Sequence, residues 1–258
     1  MSTWWESPAP DRSARFLDGT PPLAFAHRGF APDGCENAMS AFERAVALGY
    51  VYLETDVRVT SDGVALAFHD SRLDRITDMQ GRVDHLPWAH VRRARIAGRE
   101  PIAMLTDLIA AWPHTRVNID VKAQACVGPV IDAIRRTGSI DRVCVAAFAD
   151  ARISAVRRSL GPRLCTALGP AAALGLRVGR RPRGSAQCAQ VPARIGRRIF
   201  VDARYIDAAH ASGLHVHAWT VNRRAEMIRV LDAGVDGVMT DAADVLRDVL
   251  VERGQWRG

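Results

Sequence analysis

Residues 51–70 read Val-Tyr-Leu-Glu-Thr-Asp-Val-Arg-Val-Thr-Ser-Asp-Gly-Val-Ala-Leu-Ala-Phe-His-Asp. Two apolar runs, Val51–Asp56 and Val64–Phe68, are separated by Thr60-Ser61-Asp62-Gly63. An Asp-Gly step between such runs is a strong hairpin signal, so the second run is predicted to return antiparallel beside the first. Glu54 and Asp56 stand two apart, which on a strand puts both carboxylates on one face, inward if Leu53 and Thr55 point out. Counting outward from Asp62-Gly63, Asp56 lies six residues before Asp62 and His69 six after Gly63. That count makes Asp56 and His69 near cross-strand neighbours.

Outward from the hairpin, short apolar runs alternate with amphipathic segments of 10 to 15 residues, the mark of βα units and a parallel sheet. The further runs are Leu23–Ala26, Val117–Val121, Val143–Ala147, Leu164–Ala167, Ala186–Val191, His215–Ala218 and Gly237–Met239. With the hairpin's return strand set aside, eight parallel strands remain. The fold class is therefore α/β: a TIM (β/α)8 barrel with a β-hairpin after its second strand and a short inserted connection. Residues 1–20 read as an irregular lead-in, 21–258 as a single barrel domain, and 71–100 as a lid-like connection with a short helix over Leu86–Arg95. Asn37, Asn222 and Asp241 are placed to cap helices that carry Ala41, Phe42, Ala45 and Leu48, then Met227, Val230 and Leu231, then Val245, Val249 and Leu250 inward. Gly49 and Gly234 can stop the first two.

A chain of 258 residues, 48% hydrophobic and 24% charged, can bury a core without disulfides or a structural metal. Its five cysteines are odd in number, widely spaced and form no CxxC pair, so neither a zinc knuckle nor a disulfide framework is indicated. That usage suggests a reducing compartment. The first residues, Met-Ser-Thr-Trp-Trp-Glu, have no secretory pattern, and the longest uncharged apolar stretch, Leu164–Leu176, is too short to span a bilayer. A cytoplasmic protein is expected, with peripheral membrane contact left open. The net charge of +7 comes almost wholly from arginine, densest over residues 177–198. Without interleaved aromatics for base stacking, that segment reads as solvated surface rather than a nucleic-acid site, and a specific anion patch is the alternative.

Chemistry gathers at the strand ends, which in a TIM barrel face the active site. These are His27-Arg28-Gly29, Glu54-Thr55-Asp56, His69-Asp70 and Asn118-Ile119-Asp120-Val121-Lys122. Two like-charged carboxylates this close call for a hard cation bound through oxygen, and Asp120 can supply a third anionic ligand. The competing reading is an acidic pair salt-bridged to arginine. Two histidines beside one metal can serve as general base and general acid of a phosphoryl transfer, since their pKa lies near neutrality. Arg28 and Lys122 suit phosphate clamps.

In order and spacing, His27-Arg28-Gly29, Glu36-Asn37, Glu54-Thr55-Asp56-Val57, Asp62-Gly63 and His69-Asp70 resemble the signature of the glycerophosphodiester phosphodiesterases. Leu73-Asp74-Arg75, Asn118 to Lys122, Trp219-Thr220-Val221-Asn222 and Asp236 to Asp241 continue the match, so it covers nearly the whole chain from about residue 22. The resemblance implies a hydrolase that uses Ca2+ or Mg2+ to release an alcohol and sn-glycerol 3-phosphate. It implies Glu54, Asp56 and Asp120 as metal ligands and His27 and His69 as the catalytic pair. Arg28 and Lys122 would contact phosphate, Trp219 would line the substrate pocket, and Glu36 would orient Arg28 or a metal water. Asp120 stands where the family usually has Glu, Cys35 where it has Pro, and Ala38 where it has Thr. Two alternatives are carried. One is lysophospholipase D-type cleavage of lysophospholipids, with His85, Leu86, Pro87 and Trp88 rimming an apolar groove. The other is a catalytically silent protein that binds a phosphate ligand. The oligomeric state is not read from the sequence.

Overall fold

The computed structural model describes residues 15–182 and 184–257. From the N-terminus its strands are β1 (Leu23–His27), β2 (Tyr52–Val59), β3 (Ala65–Ala67), β4 (Arg95–Ile96), β5 (Glu100–Pro101), β6 (Arg116–Val121) and β7 (Val143–Ala146). There follow β8 (Cys165–Thr166), β9 (Cys188–Pro192), β10 (Arg194–Ile195), β11 (Arg198–Ile199), β12 (His215–Trp219) and β13 (Gly237–Thr240). The helices are α1 (Met39–Ala47), α2 (Trp88–Val91), α3 (Leu105–Ala111), α4 (Val127–Thr137), α5 (Asp150–Leu160), α6 (Pro170–Arg177), α7 (Ala203–His210), α8 (Arg224–Asp232) and α9 (Ala243–Glu252).

Eight parallel strands follow one another in the order β8-β7-β6-β2-β1-β13-β12-β9. A parallel bridge between Ala167 and Cys188, with Leu168 N donating to Cys188 O at 2.8 Å, joins the two ends. The sheet therefore closes into the expected (β/α)8 barrel. Helices cover its outside through two apolar layers, one built around Leu53, Ile119 and Val145, the other around Val191, Val216 and Val238. β4–β5 and β10–β11 are two short surface ribbons.

Of the expected lead-in, residues 1–14 lie outside the described residues, as does Arg183 of the arginine-rich segment. Residues 15–17 are not irregular: a 3-10 turn inserts Phe16, fully buried, against Phe25 and Tyr52 inside the barrel. Burying one such ring contributes roughly 1.5–3 kcal/mol. β9 starts two residues later than the predicted run Ala186–Val191, and β8 is only two residues long. The short helix expected over Leu86–Arg95 reduces to Trp88–Val91.

Connection 71–100 packs Leu73, Val83, Val91 and Ile96 against Leu66 and Phe68, giving the β2–β3 hairpin its own small core. Leu86 O accepts from Ser61 N at 3.0 Å, and Asp62 Oδ1 accepts from Trp88 N at 2.9 Å. Residues 86–88 thus seal the hairpin turn, and none of 85–88 lines the main cavity. The apolar groove expected over His85, Leu86, Pro87 and Trp88 is not formed there.

The hairpin forms with a register one residue off the symmetric count. Thr60 N donates to Val64 O at 3.1 Å, and Val57 faces Ala67, so the loop is Ser61-Asp62-Gly63 rather than a two-residue Asp-Gly turn. Gly63, at φ +87°, takes the left-handed position that a three-residue loop needs. Asp56 therefore lies opposite Phe68, whose N–H it receives at 2.9 Å, and His69 is one step further on.

The three predicted caps are not caps. Helices α1, α8 and α9 begin after Ala38, Arg223 and Ala242, with no side-chain capping bond at any of them. Asn37, Asn222 and Asp241 turn instead to the rim of the barrel. An Asn or Asp just before a helix has the same signature whether its side chain serves the helix end or the strand end before it.

Candidate active site

The His27-Arg28-Gly29 corner is a sharp turn at the top of β1. Arg28 takes a left-handed φ of +56°, unusual for a bulky residue. It is held there by its own N–H to Glu54 O at 2.9 Å and by Asn37 N–H to its carbonyl at 2.9 Å. Gly29 follows at φ +80°, where a Cβ would sit 2.6 Å from the Ala41 carbonyl carbon. Only glycine fits.

β1 and β3 lie along the same edge of β2. Arg28 N–H takes Glu54 O and Phe68 N–H takes Asp56 O, so the strand carrying His27 ends where the one leading to His69 begins. On the other edge β6 pairs in register, with Asp56 opposite Asp120 and Glu54 opposite Asn118. Glu54, Asp56 and Asp120 are all buried, and with His27, Arg28, His69, Lys122 and Trp219 they line one cavity of about 460 Å³. Eight of the nine expected site residues thus meet in one place. Glu36 stands just behind them, its Oε1 accepting from Arg28 Nη1 at 3.0 Å.

Each histidine is aimed by a carboxylate. His27 Nδ1 is 2.6 Å from Asp241 Oδ1, leaving Nε2 facing Glu54 Oε2 at 3.7 Å. His69 Nδ1 is 2.6 Å from Asp70 Oδ1. Burial would lower the His27 imidazole, but Glu54 and Asp241 outweigh it and raise its pKa. Arg75, from the 71–100 connection, donates to Asp70 Oδ2 at 2.5 Å and to Glu36 Oε1 at 2.6 Å. Its hydrogen bond holds Asp70 down at about 2. Asn222 fixes Asp241 in turn, with Nδ2 donating to Oδ2 at 2.7 Å.

Between the acids sits Lys122, the only lysine in the sequence. Its Nζ is 2.6 Å from both Asp56 Oδ1 and Asp120 Oδ2. Arg28 Nε lies 2.8 Å from Asp56 Oδ2 as an ion pair but is not aligned for a hydrogen bond. Asn37 Nδ2 reaches Asp56 Oδ2 at 3.4 Å, and its Oδ1 accepts from Thr55 Oγ1 at 2.8 Å. Burial pushes Glu54 up to about 7 despite His27, and raises Asp120 despite Lys122. Asp56 goes the other way, because Lys122 and Arg28 overcome its burial.

Sequence reasoning missed Asp70 and Asp241 as imidazole partners, Arg75 as the tie between Asp70 and Glu36, and Asn37 as a site residue. All four lie in quoted motifs. What was lacking was a geometric reason to choose them over their neighbours. The opposite wall was missed too: Phe148, Leu168, Leu174, Ile195 and Phe200 line it beside Trp219. Phe148 meets Trp219 edge-on at 5.6 Å and lies 5.5 Å from Lys122 Nζ.

Acidic, basic and imidazole groups thus converge at the C-terminal rim of a closed (β/α)8 barrel, where enzymes of this fold keep their active sites. Residues 27–245 match the model of the glycerophosphoryl diester phosphodiesterase family. The chain belongs to that family and is a phosphoric diester hydrolase. It is 40% identical over 247 residues to the probable glycerophosphodiester phosphodiesterase 2 of Mycobacterium tuberculosis, covering 92% of this chain and 93% of that protein. Among solved structures, the candidate glycerophosphoryl diester phosphodiesterase of Silicibacter pomeroyi DSS-3 superposes with a TM-score of 0.81 at 21% identity, covering 94% of this chain and 98% of that one. A phosphodiesterase of Oleispira antarctica, in complex with the product sn-glycerol-3-phosphate, does so with a TM-score of 0.77 at 18% identity, covering 90% and 97%.

Proposed function

We propose that this protein hydrolyses glycerophosphodiesters to an alcohol and sn-glycerol 3-phosphate. One divalent cation, Ca2+ or Mg2+, would be held by Glu54, Asp56 and Asp120, and His27 and His69 would serve as the acid–base pair. The observation that carries this reading is the pairing of both histidines with carboxylates, Asp241 and Asp70, at 2.6 Å each, beside one floor of buried acids. Such partners fix which ring nitrogen faces the substrate.

The residues fit a hard cation. All three donors are carboxylates, Asp120 Oδ1 is buried without a hydrogen-bond partner, and Glu54 is too poorly compensated to ionise at its usual pH. Lys122 stands between Asp56 and Asp120, and Glu54 faces His27: among the described residues the three carboxylates do not come within 4.8 Å of one another as a set. When bound, the cation would neutralise phosphate charge and ease deprotonation of the attacking hydroxyl. Arg28 and Lys122 would bind the non-bridging oxygens, Glu36 and Arg75 would hold Arg28 and Asp70 in place, and Trp219 would pack against the substrate. One imidazole would take the nucleophile's proton while the other protonates the leaving oxygen.

Glycerol 3-phosphate release from glycerophosphocholine tests this. Full activity is expected with Ca2+ or Mg2+ and background activity in EDTA. Undiminished turnover in EDTA would count against the cation.

A second reading has its own observation. Phe148, Leu174 and Ile195 are 58–60% exposed around the cavity mouth, an apolar rim suited to one acyl chain. Lysophosphatidylcholine turned over faster than glycerophosphocholine would favour lysophospholipase D-type cleavage. No helix among the described residues is long and apolar enough to cross a membrane. Five unpaired, buried cysteines support a reducing, cytoplasmic setting.

A further inference from the structure

Three of the five cysteines come from separate strands and meet inside the barrel. Cys144 on β7, Cys165 on β8 and Cys188 on β9 have sulfurs that all lie within 4.8 Å of one another. Cys144 Sγ and Cys188 Sγ are 3.8 Å apart. Each stands two residues before a cavity-lining residue (Ala146, Ala167 and Gln190), so the trio forms the next inward layer down. All three are fully buried, and so is His217 on the neighbouring strand β12. Among the described residues, His217 Nε2 has no hydrogen-bond partner.

We propose that Cys144, Cys165 and Cys188 form a structural site for a thiophilic d10 cation, with Zn2+ the best match, and that His217 on the adjacent strand, whose nitrogens lie outside the 4.8 Å group of sulfurs, moves in as the fourth ligand when the ion binds. The site is separate from the carboxylate rim and does not rest on its reading. Tetrahedral ligation with Zn–S bonds of about 2.3 Å sets sulfurs about 3.8 Å apart, which is the spacing of Cys144 and Cys188. A disulfide would need these sulfurs at about 2.05 Å, far closer than they stand.

A second layer for the histidine is also in place. His217 Nδ1 lies 3.4 Å from the Gln190 side-chain amide, which itself meets the Asn118 amide at 2.7 Å. The two ends of an amide are interchangeable by rotation. With Gln190 and Asn118 both turned, Gln190 Oε1 accepts from Asn118 Nδ2 and from His217 Nδ1–H, and Nε2 is left for the metal, as ligating histidines require. Sulfur and imidazole select Zn2+ or Cu+ over the hard cations that suit carboxylates.

The test is metal analysis of the full-length protein after exhaustive dialysis against EDTA. Retention of about one zinc per chain is expected, with three sulfurs at about 2.3 Å in zinc-edge X-ray absorption. Copper retained with the same sulfur shell would equally support a d10 thiolate site. Cys165→Ala and Cys188→Ala should lose the metal, while Cys126→Ala, a buried cysteine elsewhere, should keep it. If the first two variants do not fold, the wild-type absorption spectrum decides. Less than about 0.1 equivalent of either metal in the wild type, a shell of oxygen and nitrogen alone, or a Cys144–Cys188 disulfide would overturn the site.

Discussion

The two halves of the barrel have the same strand geometry and opposite interiors. Along β13, β1, β2 and β6, with the β2–β3 hairpin, the inward and rim positions carry His27, Arg28, Glu54, Asp56, His69, Asp120 and Lys122. Along β7, β8, β9 and β12 and the segments that follow them, they carry Phe148, Leu168, Ile195 (on the β10 ribbon) and Trp219 at the cavity wall, with Cys144, Cys165 and Cys188 beneath. The first half concentrates charge where burial is costly, as the upward displacement of Glu54 and Asp120 records. The second half is cheap to bury and offers contact area. A fold that needed only stability would not keep these two halves so different. On the proposed function, the first half would carry the chemistry and the second would grip the substrate.

The largest effect should come from the charged half. His27→Ala and His69→Ala are each expected to lower kcat by about 10²- to 10⁴-fold with circular dichroism unchanged, the range of a lost acid or base. Wild-type rates in either would remove that residue from the reaction. Next, Asp120→Asn should weaken Ca2+ or Mg2+ binding by at least about tenfold in a calorimetric titration. An unchanged isotherm would argue against ligation.

The wall should behave differently. Trp219→Ala and Leu174→Ala are expected to raise KM by up to about tenfold with kcat nearly preserved, because they remove binding shared by substrate and transition state. A kcat loss as large as that of the histidine variants would erase the distinction between the halves.

The smallest effect is a pH-dependent stability. In metal-free protein both Glu54 and His27 have folded pKa values above their ordinary ones, so the folded state binds protons more tightly than the unfolded chain. For Glu54 the loss begins above its ordinary value of 4.5 and runs through about 7; for His27 it begins above 6.5. The melting temperature should therefore fall from about pH 5 to past pH 7, and Ca2+ should raise it most at the alkaline end. A melting temperature rising over that window would contradict the assigned environments.

Most of this site was legible because barrel topology converts strand-end residues into neighbours. His27, Glu54, Asp56, His69, Asp120 and Lys122 needed only the period of a strand and one hairpin to be brought together. The hairpin's exact register was not legible, because Asp62-Gly63 can close a two-residue or a three-residue loop. Asn37, Asn222 and Asp241 read as helix caps, since the sequence before a helix does not say which way a short polar side chain turns. The cysteines were the least legible of all. Their spacing carries no local motif, and only closure of β8 on β9 brings Cys188 to Cys165 and Cys144. Lys122 is instructive in a protein otherwise rich in arginine: one ammonium nitrogen meets both carboxylates at a single point, whereas Arg75 uses separate nitrogens to tie Asp70 to Glu36.

The most direct test is a crystal structure grown with Ca2+, the ion located by its anomalous signal. Oxygens of Glu54, Asp56 and Asp120 are expected at about 2.3–2.6 Å from the ion, with Lys122 displaced from between Asp56 and Asp120. Calcium bound elsewhere, or those carboxylates still bridged by Lys122 at saturating Ca2+, would contradict a cation-centred site.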